Sequence, residues 1–138
     1  MRMTRISFLL LVALLLLFGC SLFNPDRVQI DSVDPNSGLM DGQSYTFTVK
    51  AHYKLVSGEQ GVLSIGFNNG GSADSYPMIA SQDIIVAEGS GEHTFSASAT
   101  AKRWAGSTPF QVTVTLDEFP PPSVLHQVLA SDTQELHF

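Results

Sequence analysis

The sequence predicts an all-β fold, an antiparallel β-sandwich of about seven to eight short strands that follows a signal peptide. Three observations lead to this prediction. Apolar and polar residues alternate with a period of two in several segments, glycine, proline and asparagine separate those segments, and no helical period follows residue 20. The 138 residues, 43% of them hydrophobic, suffice for one domain of ordinary size.

Four segments show the alternation most clearly, and their apolar residues form the predicted core. The longest runs over residues 45–53, and the next best over 110–116. Shorter ones cover 63–67 and 95–99. We expect the core to include Phe47, Val49, Phe67, Phe95, Val112 and Val114.

Weaker strands are predicted at residues 28–33, 75–80, 84–87 and 134–138. The asparagines and glycines of 68–71 predict a hairpin turn, and a second turn is expected at 89–91. Three consecutive prolines at 120–122 cannot donate ladder hydrogen bonds and therefore end the strand before them. Residues 123–130 are interpreted as a loop over one end of the core, although one turn of helix fits them too.

The first residues have the pattern of an export signal. Arg2 and Arg5 precede a leucine-rich run over 6–18 that is too short to span a bilayer comfortably. The run ends in Leu17-Phe18-Gly19-Cys20, which resembles the lipobox of bacterial lipoproteins. That resemblance implies a signal peptide over 1–19, acylation of Cys20 and a short tether over 20–27. Since Ser21 stands where aspartate would favour the inner membrane, it further implies the outer membrane in a Gram-negative organism.

The start of the mature chain carries a second resemblance. Asp34-Pro35-Asn36-Ser37-Gly38, followed by Gly42 before the longest strand, is similar to the opening of TIG-type immunoglobulin-like domains. It implies that residues 28–138 form a single immunoglobulin-like sandwich. A fold resemblance carries no activity with it.

Charge and cysteine count exclude several function classes. With 13 acidic and 7 basic residues the net charge is −6, which argues against a nucleic-acid surface. A single cysteine rules out an intramolecular disulfide and a multi-cysteine metal site. No histidine pair has metal-ligand spacing, and no Gly-x-Ser-x-Gly motif occurs. We therefore expect no cofactor and no enzymatic activity, and a solvated His52 on the polar face of its strand.

One cluster suggests binding. Lys102, Arg103 and Trp104 place the only tryptophan beside two basic residues, and tryptophan and arginine concentrate binding energy at interfaces. The alternative is that Trp104 caps the core. The sequence thus favours a noncatalytic, membrane-anchored lipoprotein that binds an envelope protein or supports the envelope, using loops or an exposed strand edge. Carbohydrate binding through aromatic side chains is the alternative function.

Overall fold

The computed structural model describes residues 25–68, 81–103, 109–119 and 127–138. Within these ranges the chain is all-β, and it contains no helix that is long and apolar enough to cross a membrane. All strand pairs are antiparallel and belong to one sheet. The five strands are β1 (Arg27–Asp34), β2 (Ser44–Asn68), β3 (Ser81–Thr100), β4 (Phe110–Glu118) and β5 (Val128–Leu136).

Strand β2, which is 25 residues long, organises the sheet. Along one edge it pairs with β3 over almost its whole length. Along its other edge its first half pairs with β1 and its second half with β4, which in turn pairs with β5. Val49, for example, stands between Val33 and Phe95, so that the alternating faces of three strands coincide.

Both long strands double back on themselves. The rings of Phe47 and Phe67 lie 4.8 Å apart, although roughly 66 Å of straight strand would separate these residues of β2. In β3 the side chain of Gln82 donates a hydrogen bond of 2.8 Å to the carbonyl of Ser96. The bend falls at residues 55–60 of β2, where 56–59 stand opposite Glu88 alone.

The predicted core is confirmed. Phe47, Val49, Phe67, Phe95, Val112 and Val114 are at most 1% exposed. Aromatic contacts dominate its centre, where Phe110 lies 6.2 Å from Phe47 and 6.0 Å from Phe67 between ring centroids. Because Phe47 belongs to the first half of β2 and Phe67 to the second, this cluster holds the two halves together.

The number and limits of the strands differ from the prediction. The segments around 45–53 and 63–67 are one strand, as are 84–87 and 95–99. Residues 89–91 bend β3 without ending it, because Gly89 adopts a positive φ of 108° and pairing with β2 continues on both sides. Strand β5 begins at Val128 rather than 134, so the loop expected over 123–130 is wrong for its last three residues. Segments 75–80 and 123–126 lie outside the described residues.

Asp26, the residue before β1, closes the bend of β2. Its carboxylate accepts hydrogen bonds from the backbone amides of Val56 at 2.6 Å and Ser57 at 3.0 Å, which have no strand partner. Burial raises the pKa of Asp26, but the hydrogen bonds from the Ser57 side chain and from both amides outweigh it, and the pKa falls below its usual 3.8.

We expect Asp26→Asn to lower the free energy of unfolding at neutral pH by about 1 kcal/mol, because two charge-assisted hydrogen bonds weaken. Because the pKa of Asp26 is lowered in the folded state, this stabilisation is complete above the usual pKa of 3.8. It is lost as the pH falls through the pKa of the folded state. Urea denaturation should therefore show a difference in free energy of unfolding between the wild type and the variant at neutral pH, and this difference should disappear in acid. The control is Asp83→Asn, which changes an exposed carboxylate. A difference in free energy of unfolding between wild type and Asp26→Asn that does not change with pH would contradict this role of the Asp26 carboxylate.

Candidate functional site

The free edge of β3 is the longest surface of unpaired backbone in the part of the chain that the structure describes. β3 has 20 residues and pairs only with β2, so no described strand lies beyond it. Since β3 follows both halves of β2, its edge continues past the bend. An unpaired edge presents a row of amide and carbonyl groups that can pair with another chain.

The opposite side of the domain, where β1 and β5 lie, is linked by several hydrogen bonds. There the amide of Ile30 in β1 donates to the Asp132 carboxylate of β5 at 2.8 Å. Beyond the end of β1, the amide of Leu39 donates to the carbonyl of His137, and the amide of His137 donates to the carbonyl of Asn36. Three hydrogen bonds thus tie the β1 side of the domain to the β5 side, whereas on the β3 side one hydrogen bond, from the Gln82 side chain to the carbonyl of Ser96, joins the two halves of β3.

The first part of β3 combines this edge with apolar, β-branched side chains. Ile84, Ile85 and Val86 follow one another, and Val86 is buried while Ile85 is 59% exposed. Ile85 stands opposite Val62 of β2, which extends the apolar surface inward from the edge. Proteins commonly protect an edge with lysine, proline or a bulge, and residues 82–87 contain no lysine or proline and pair in regular register.

Beyond the bend the same strand is more polar and better covered. The ring of Tyr53 lies over Gly91 so closely that a Cβ there would come within 2.7 Å of it. Glu92 forms an ion pair of 2.9 Å with Lys50, and its carboxylate raises the pKa of Lys50 through a hydrogen bond and through its charge. The apolar part of the edge is therefore confined to residues 82–87.

The charge along β3 has one sign. The strand carries Asp83, Glu88 and Glu92 and contains neither lysine nor arginine. Glu92 is paired with Lys50, but no described cation lies within ion-pair distance of Asp83 or Glu88. These two exposed carboxylates flank Ile85 and make the surroundings of the apolar edge negative.

The predicted binding cluster is only partly described. Trp104 lies outside the described residues, as do Cys20 and the predicted signal sequence. The backbone amide of Arg103 donates to Asp41 at 2.6 Å, and its guanidinium lies 4.8 Å from the centre of the Phe138 ring. Arg103 is thus engaged within the domain through a cation–π contact, and Lys102 beside it is exposed.

Two of the described histidines, His52 and His93, have side-chain partners. His52, which is predicted to be solvated, is partly exposed, and its Nδ1 lies 2.8 Å from the carboxylate of Asp31 on the neighbouring strand β1. His93 packs edge-on against Phe95, with ring centroids 4.6 Å apart. In the four described ranges no three metal-ligating side chains come together.

Comparison with models of protein families, with curated proteins and with solved structures gave no match. Sequence analysis named an exposed strand edge as one means of binding but did not identify β3. The signal that could have found it is the uninterrupted run of Ile84, Ile85 and Val86, which breaks the alternation beside an acidic residue.

Proposed function

We propose that this protein is a noncatalytic lipoprotein, anchored by acyl chains on Cys20, that binds an envelope protein by accepting a strand at the free edge of β3. The observation that carries the proposal is the unpaired edge at residues 82–87 with its exposed Ile85. In strand addition, main-chain hydrogen bonds supply affinity and alternate side chains supply specificity. An edge that is apolar and unprotected fits that mode of binding.

We further infer an immunoglobulin-like sandwich. Divided at their bends, β2 and β3 contribute two segments each, which with β1, β4 and β5 makes seven. One layer would contain β1, the half of β2 before the bend and the half of β3 after it. The other would contain the remaining halves with β4 and β5. The contact of Phe47 with Phe67 supports a packing of these layers face to face.

The anchor would keep the apolar edge close to the membrane. Residues 21–26, fully extended, reach about 21 Å from Cys20 to Asp26. Asp26 is bonded to the bend of β2, and Glu88 stands opposite that bend, three residues from Ile85. Three residues of strand add about 10 Å. A partner would thus meet the edge within a few tens of ångströms of the bilayer, in the outer membrane if the organism is Gram-negative.

Carbohydrate binding, the alternative function, would need exposed aromatic rings on one face. All phenylalanine and tyrosine side chains in the described ranges are buried or half-buried. No observation favours this alternative over strand addition.

The proposal is tested by photo-crosslinking in the native membrane. A photoreactive amino acid replaces Ile85 in one protein and Val128 in another, since Val128 is similarly exposed at 54% but belongs to β5. Both positions are near the bend end of the domain, because Val128 pairs beside the end of β4. We expect one envelope protein to crosslink at position 85 and not at 128. Equal adducts from both positions, or none from 85, would contradict the proposal.

A further inference from the structure

We propose that the strand accepted by β3 is basic, with apolar residues at its centre and a lysine or arginine opposite Asp83 and opposite Glu88. This inference rests on the proposed strand addition and names the chemistry of the partner. Side chains directly opposite each other on antiparallel strands lie about 4.5–5.5 Å apart, so opposite charges attract and like charges repel across the new pair.

The positions of the charges set the pattern that the partner must carry. Asp83 and Ile85 are two residues apart and therefore lie on the same face of the strand, and both are exposed. Glu88 marks the other end of the apolar segment, opposite the bend of β2. A complementary strand thus presents two cations about five positions apart, with β-branched residues between them to cover Ile85.

A second copy of this chain is a poor occupant of the same edge. Pairing β3 antiparallel with its copy around Ile85 sets Asp83 of one chain opposite Ala87 of the other and one residue from its Glu88, and a parallel arrangement stacks identical carboxylates. No cation of β3 offsets either contact, because the strand has none. The net charge of −6 on the whole chain adds to this repulsion. Charge complementarity therefore favours a basic strand from a different protein.

The test uses the full chain in detergent and two fluorescent nine-residue peptides. Both alternate valine with threonine, and they differ only in carrying two lysines or two glutamates five positions apart. Affinity is measured by fluorescence anisotropy at low salt, and the binding position by hydrogen exchange of the amides of 82–87. The charge-reversed variant is Asp83→Lys with Glu88→Lys. Its control, Glu118→Lys with Glu135→Lys, makes the same change in net charge at exposed residues of β4 and β5.

We expect the wild type to bind the lysine peptide about tenfold more tightly than the glutamate peptide, from two ion pairs gained against two repulsions. The lysine peptide should slow exchange at 82–87. The charge-reversed variant should invert the preference, and the control should keep it. Circular dichroism verifies that both variants are folded.

Three results would overturn the inference. If the control loses the preference as fully as the reversed variant, only net charge matters. If both peptides bind equally and protect 82–87, the partner need not be basic, while the proposed strand addition survives. If neither peptide protects these amides, strand addition at this edge fails as well. Protection that rises with protein concentration in the absence of peptide would identify a second copy as the occupant and would also overturn the inference.

Discussion

Phe47→Ala should lower the free energy of unfolding by about 3 to 5 kcal/mol, the cost of truncating a fully buried phenylalanine. Phe47 has no exposed surface, and its ring contacts those of Tyr45, Phe67 and Phe110. Truncation removes apolar burial and leaves a cavity between the two halves of β2. Stability without a disulfide depends on such burial. Urea denaturation followed by circular dichroism measures the loss.

The matched control is Ile85→Ala, which removes a large apolar side chain from an exposed position of the same sheet. This substitution should change the free energy of unfolding by no more than about 0.5 kcal/mol, as most surface substitutions do. Comparable losses from both variants would contradict the placement of Phe47 at the centre of the core.

Cys20→Ser should abolish lipid attachment. Each buried methylene of an acyl chain contributes about 0.8 kcal/mol to membrane binding, and the lipobox resemblance implies several chains on this residue. Mass spectrometry of the wild-type protein should find Cys20 as the first residue, with its mass increased by acyl groups. The variant should incorporate no labelled palmitate and retain its signal sequence.

Ser21→Ala is the control for this change, since it alters the neighbouring residue and leaves the thiol in place. It should incorporate palmitate as the wild type does. An unmodified Cys20 in the wild type, or labelling that persists in Cys20→Ser, would show that the anchor lies elsewhere or is absent.

Much of the core could be predicted from local pattern alone. Burial on one face of a strand requires a period of two, and that period is visible around Phe47, Phe95 and Val112 without any knowledge of pairing. The limits of the strands could not be predicted in the same way. Gly89 is a turn former by composition, yet β3 continues through it because β2 bends at the same level and supplies partners on both sides.

The candidate site depended still more on long-range contacts. Lys102, Arg103 and Trp104 form a cluster in sequence, but the structure engages Arg103 with Asp41 and Phe138, which are distant along the chain. His52 likewise acquires Asp31 as a partner only through the pairing of β1 with β2. The spacing of these residues along the sequence predicts neither the contacts of Arg103 nor that of His52.

The all-β class, the buried faces and the residues of the core could be predicted without the fold, because they follow from the alternation of neighbouring side chains. Long-range contacts set which segments merge into one strand across the bend and how Asp26 closes that bend. The same contacts leave β3 at one margin of the sheet and link the other two edge strands through the hydrogen bond from Ile30 of β1 to Asp132 of β5. Backbone hydrogen-bonding groups are the same in every strand, so only the order in which the strands pair determines which edge stays open.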